Sequence, residues 1–261
     1  MRAVLTYHSV DASGSPISVS PDAFARQLAW LTSGQVVVES LTAIARWDDT
    51  GDGTPRVALT FDDGFTNFAS LAWPRLRDAG LPATVFLVSG HIGGTNVWGG
   101  RRVPGIPALP LMSWDQAATC ATEGVEIGAH SRTHPHLPAL TTAEAHDEMA
   151  GGRRELCNRL GVPVTTFAYP YGDLTGGIAE AARSIFDIAC TTEYRVLAAG
   201  DSRHLLPRLD MYYFQAPGAL RDWGAPAFRR RIAVRRALRR VRLGLASMPL
   251  GGGRRTAKGL L

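Results

Sequence analysis

The chain has 261 residues, 45% of them hydrophobic and 20% charged, which excludes wholesale disorder and leaves material for one large domain or two small ones. No apolar run reaches the roughly 18 residues a membrane-spanning helix needs, and the opening Met1-Arg2-Ala3-Val4-Leu5-Thr6-Tyr7-His8 is too polar for a secretory signal. The formal charge of +5 is split unevenly: residues 1–220 carry 16 Arg against 22 acids, whereas residues 221–261 carry 11 Arg and one Lys against Asp222 alone.

In chain order, Ala3–Tyr7, Val57–Phe61, Thr84–Val88, Val125–Ala129, Val164–Ala168 and Ile188–Thr191 read as buried strands, apolar runs bounded by turn or polar residues. Helices fall between them. Ser20-Pro21 opens one that carries Phe24, Leu28 and Leu31 at helical spacing, Ser113 precedes a second, and Thr141-x-x-Glu144 is a capping box leading towards Leu160. Repeated strand–helix units imply a parallel sheet with helices outside it, either a barrel or an open doubly wound sheet. The Gly- and Pro-rich stretch from Gly90 to Pro110 is too long for a tight connection and reads as a functional loop. Cys120, Cys157 and Cys190 are widely spaced with no CxxC, which suggests free thiols in a reducing compartment and an expected cytoplasmic setting.

Three short segments carry the chemistry, each directly after an apolar strand. In Thr60-Phe61-Asp62-Asp63-Gly64 two adjacent carboxylates raise each other's pKa unless a positive group stands beside them. A metal held by one, with the other free as a base, satisfies that demand, although Asp-Asp-Gly also occurs as a plain acidic turn. His130-Ser131-Arg132-Thr133-His134-Pro135-His136 holds three of the seven histidines, and two at this spacing with one Asp would leave a metal an open position for water. His136, after a proline, reads as structural or at the rim. Tyr169-Pro170-Tyr171-Gly172 is a turn with aromatics that could stack on sugar faces and an amide that could face an oxyanion.

In this order the three segments resemble the polysaccharide deacetylase family, the NodB-homology group also called carbohydrate esterase family four, over about Met1 to Arg208. The resemblance implies an irregular (β/α) barrel that removes N-acetyl groups from an amino-sugar polysaccharide or glycan precursor with a divalent metal, zinc first, with cobalt or nickel as alternatives. It implies Asp63, His130 and His134 as metal ligands, Asp62 as general base and the backbone N–H of Tyr171 as oxyanion donor. Tyr169, Tyr171 and, in the long loop, Trp98 become candidate substrate contacts. The family's third-motif arginine is missing here, its place taken by Ala168 or a neighbour, and the usual late Asp and Leu-x-Ile-His blocks are absent. The Phe167-Ala168-Tyr169-Pro170-Tyr171-Gly172 wording is closer to the branch acting on poly-N-acetylglucosamine. That branch has its general acid in a Tyr-His-x-Val setting, which points to His8 in Thr6-Tyr7-His8-Ser9-Val10, with His204 as runner-up and Arg208 as the replacement arginine.

The expected organisation is a catalytic domain over residues 1–215 followed by a basic amphipathic helix and a disordered tail from Gly251-Gly252-Gly253-Arg254 onward. Residues 228–246 contain eight Arg and no acid, with Val234, Ala237, Leu238, Val241 and Leu245 on one face. That pattern suits an anionic membrane surface, placing the protein peripherally at the inner membrane face. It equally suits a helix packed on the barrel by its apolar stripe; no aromatic interleaving supports nucleic acid. Competing functional readings are a same-fold hydrolase of a small or lipid-linked amide or formamide, and an inactive membrane-associated scaffold. The oligomeric state has no signature in the sequence.

Overall fold

A computed structural model describes residues 1–46 and 53–247, with side chains of the last helix as far as Arg239. The strands are β1 (Arg2–Tyr7), a ribbon of β2 (Ser9–Val10) with β3 (Ser18–Val19), then β4 (Val37–Glu39), β5 (Arg56–Phe61), β6 (Thr84–Leu87), β7 (Glu126–Ala129), β8 (Thr166–Ala168), β9 (Ile188–Cys190) and β10 (Arg208–Asp210). The main sheet is wholly parallel in the order β10-β1-β5-β6-β7-β8-β9, with β4 beside the first half of β5. It closes between β9 and β10 through single contacts: Leu206 N donates to Ala189 O at 2.9 Å, Thr191 N to Leu206 O at 2.8 Å and Arg208 N to Glu193 O at 3.0 Å. The architecture is the irregular (β/α) barrel of the NodB type.

Alternation along the strands sorts the core into two layers, because successive side chains on a strand face opposite ways. Ala3, Leu5 and Tyr7 of β1 and Val57, Leu59 and Phe61 of β5 join the layer under the helices. Val4, Ala58, Phe86, Ala168 and Cys190 belong to the inner layer. Phe86 fills the barrel centre only because β7 has a glycine opposite it: a Cβ on Gly128 would stand 2.4 Å from the Phe86 ring.

The helices are α1 (Pro21–Leu31), α2 (Leu41–Ala45), α3 (Trp73–Asp78), α4 (Trp114–Thr122), α5 (Thr142–Leu160), α6 (Gly176–Ile185) and α7 (Pro226–Ser247). Ser20 caps α1, and both Ser113 and Thr141 form full capping boxes, so the three starts expected from sequence are where orphan N–H groups find side-chain acceptors. β4 and β10 escaped sequence reading, since three residues are too few to show a period.

The segment after residue 215 packs on the barrel. Leu220, Trp223, Phe228 and Ile232 belong to the outer core layer, with Trp223 against Trp30 (4.8 Å between centroids) and Phe228 against Phe214 (5.8 Å), so packing is continuous across the expected boundary at 215/216. The basic helix expected over 228–246 is α7, but its packed face is not the expected one. Phe228 and Ile232 are buried, while Val234 and Leu238 are exposed. Gly251 onward lies outside the described residues.

Candidate active site

Parallel strands deliver all their C-terminal ends to one rim, and the three sequence motifs follow β5, β7 and β8 there. Among the described residues only four non-glycine positions have positive φ: Asp63 (69°), Ser131 (62°), His134 (60°) and Tyr171 (59°), all in these motif loops. Backbone strain of this kind persists where surrounding contacts over-determine it.

Asp62 leaves β5 with its N–H on Tyr7 O at 2.9 Å and is gripped from inside the barrel by Arg208. The guanidinium donates from Nη1 to Oδ1 at 2.6 Å and from Nη2 to Oδ2 at 2.7 Å, with Nε on Thr191 O at 2.9 Å. Burial alone would raise this carboxyl, but Arg208, with His130 and His8, outweighs it and holds Asp62 at about 2. Arg208, the residue expected to stand in for the missing third-motif arginine, comes from β10, which pairs with β1 and points it inward against Asp62.

The His130 loop is set by two neighbours. His130 follows β7, and its Nδ1 meets Ala168 O at 2.7 Å; a carbonyl only accepts, so Nδ1 donates and Nε2 is the ring atom turned to the site. Glu148 of α5 accepts the N–H groups of Arg132 and Thr133 at 3.0 and 2.8 Å, and Ser131 Oγ accepts the His134 N–H at 2.9 Å. A Cβ on Gly152 would stand 3.0 Å from the Ser131 carbonyl, so α5 approaches the loop this closely only with glycine there.

Three ligand-type atoms then converge. Asp63 Oδ1 lies 3.5 Å from His130 Nε2 and 3.4 Å from His134 Nε2, and the two nitrogens are 3.2 Å apart. All three residues are buried, and Asp63 Oδ1 has no hydrogen-bond partner among the described residues. Burial pushes the Asp63 carboxyl up and holds His134 well down as a neutral imidazole. Donor atoms about 2.0–2.2 Å from a tetrahedral ion stand about 3.3–3.6 Å apart, so the observed triangle fits one face of such a site.

His8, half-exposed after β1, holds its Nε2 3.8 Å from Asp62 Oδ2. Asp210, paired across from Thr6, lies within electrostatic reach of His8. Trp98 stacks on His134 (4.5 Å, 26°), Tyr171 meets His134 edge-on (4.6 Å), and Tyr171 stacks on His136 (3.9 Å, 13°), which bonds Asp173. Buried Asn96 ties the long loop across itself, donating to Pro107 O at 3.1 Å and accepting from Leu109 N at 2.8 Å, and so delivers Trp98.

Two sequence candidates do not line this site. Tyr169 is wholly buried beside Phe167, its hydroxyl on His204 O at 3.1 Å, because strand alternation turns it outward under α6. His204 sits beside the start of β9 with Nε2 on Phe186 O at 2.9 Å. The reason is topological: a connection between parallel strands must return to their N-terminal side, so a residue just before β10 is far from the rim. Glu148, Asn96 and Asp210 were missed by sequence reading. Only Asp210, an acid directly after an Arg-Leu pair at a strand end, left even a faint signal.

A family model described as polysaccharide deacetylase matches residues 49–185, which span Asp62, Asp63, His130, His134 and Tyr171. The chain belongs to that family. Bacillus subtilis YxkH is 25% identical over 209 residues, 79% of this chain and 70% of that protein. The peptidoglycan-N-acetylglucosamine deacetylase PgdA of Listeria monocytogenes is 26% identical over 126 residues, 48% of this deacetylase-family chain but 23% of PgdA. Among solved structures, IcaB from Ammonifex degensii superposes with a TM-score of 0.68 at 25% identity, covering 81% of this chain and 94% of IcaB. His8 and Arg208 lie outside the matched segment, so their places beside Asp62 come from the barrel alone.

Proposed function

We propose that this protein is a metal-dependent hydrolase that removes N-acetyl groups from an amino-sugar polysaccharide or glycan precursor. One observation carries the reading: a buried Asp63–His130–His134 triangle of tetrahedral dimensions beside a carboxylate, Asp62, that Arg208 keeps ionised. The similarity to PgdA, a peptidoglycan-N-acetylglucosamine deacetylase, supports the substrate class.

Asp63, His130 and His134 would hold a divalent ion, zinc by donor type, which when bound supplies Lewis-acid polarisation and an acidified water. Asp62 accepts the proton of the attacking water, a task for which Oδ2 retains a lone pair beyond its bond from Arg208 Nη2. The backbone N–H of Tyr171 donates to the oxyanion that develops on the acetyl carbonyl. His8 protonates the departing amine as the C–N bond breaks, releasing acetate. Trp98 and Tyr171 wall the site for a sugar ring.

The test is acetate release from N-acetylglucosamine oligomers after chelation and add-back of zinc, cobalt or nickel. Metal-dependent release that disappears in Asp62→Asn is the expected result. Folded, zinc-loaded protein that releases no acetate from any oligomer would overturn the reading.

A further inference from the structure

We propose that the exposed flank of α7 docks this protein on an anionic lipid surface. Going beyond the deacetylase reading, the inference starts from how α7 is fastened. Phe228 and Ile232 are buried, Arg235 lies over the Tyr213 ring at 4.2 Å, Arg239 over Tyr194 at 5.5 Å, and Arg236 pairs with Glu193. These contacts fix the rotation of the helix and leave Val234 and Leu238, one turn apart, 59% and 65% exposed. They are the two most exposed large hydrophobic side chains among the described residues.

The register of a 3.6-residue helix sets Arg230 and Arg231 on opposite flanks of this apolar pair. Residues 226–247 contain eight Arg and no acid. A second copy of the chain would bring like charges together on this face. A polynucleotide would engage the arginines but leave the aliphatic pair in water. An anionic bilayer takes both, with guanidinium groups at lipid phosphates and Val234 and Leu238 at the acyl boundary.

The direction of α7 gives the docking its consequence. The helix begins beside Gly224, where a Cβ would stand 3.9 Å from Met1 Cβ at the N-terminal end of β1. It reaches Tyr194 and Tyr213, which follow the C-terminal ends of β9 and β10. The helix thus runs up the flank of the barrel towards the end that carries Asp62 and His130, and a membrane on its exposed stripe lies alongside the barrel with the catalytic rim opening next to it.

The test is co-sedimentation of the full chain with phosphatidylcholine vesicles containing about 30% phosphatidylglycerol, and with phosphatidylcholine alone. Binding to the anionic vesicles only, weakened by salt and reduced about tenfold or more in Val234→Glu/Leu238→Glu, is expected. Both side chains are exposed, so the variant keeps its fold and releases acetate from soluble oligomers as the wild type does; vesicle binding is thus read separately from catalysis. Absence of binding to the anionic vesicles, or equal binding by the double variant, overturns the proposal. So does single-stranded RNA that displaces the chain from vesicles and binds the double variant as tightly as wild type.

Discussion

Asp62 and Arg208 form a fully buried, bidentate ion pair, an arrangement whose value lies in its completeness. Removing one partner strands the other charge in a low dielectric, at about 3–5 kcal/mol. Arg208→Met should destabilise by that order in chemical denaturation, and adding Asp62→Asn should recover most of it while activity stays absent. A purely structural pair would instead regain activity with stability. The triangle makes a second prediction at this scale: zinc added to chelated protein should raise Tm through binding to the folded state alone, and His134→Ala should lose that response in a thermal melt. Burial pushes the Cys190 thiol up to about 12 and Cys120 up to about 11. At pH ~8 both stay protonated, so native-state alkylation followed by mass spectrometry should leave them unmodified until the protein is unfolded.

Among elements, α5 decides how the His130 loop stands. Glu148 takes two loop N–H groups and the Thr133 hydroxyl, and Gly152 admits the Ser131 carbonyl at the helix surface. Gly152→Ala improves intrinsic helix propensity by about 1 kcal/mol yet forces the loop away from the helix. We expect zinc affinity to fall at least about tenfold with Tm nearly unchanged, measured by competition with a chromophoric chelator, as for other changes to groups that orient metal ligands. Loss of stability with affinity retained would show that Gly152 serves packing alone. The capping boxes that start α4 and α5 were legible in sequence because a cap is a local event between residues three apart. The clasp between α5 and the loop was not, because Glu148 follows His134 by a distance that only the β7–α5 crossover folds back.

Across the whole molecule, the barrel and its C-terminal helix share one outer core. Ending the chain at Gly218 would remove Trp223 and Phe228 and uncover Trp30 and Phe214. Loss of two such buried aromatics costs several kcal/mol, about 3–5 for each full truncation, so the shortened chain should melt at markedly lower temperature or fail to accumulate. The family, and through its resemblance the barrel, was legible, as was the convergence of Asp63, His130 and His134, because Asp62-Asp63, His130 with His134 and the Tyr171 turn each sit directly after an apolar strand. A parallel barrel sends all such ends to one rim, so order along the chain was enough. Sequence by itself also determined that a basic amphipathic helix follows the barrel, since charge and period are properties of one segment. What only the tertiary structure decided was which residues meet across segments. It decided that Arg208 reaches Asp62 from β10, that Tyr169 faces the helices, that His204 lies by the start of β9, and that α7 packs on Phe228 and Ile232 and leaves Val234 in water. Each of these depends on strand register, connection path or helix rotation, which are set by the packing of distant parts and leave no mark on local spacing.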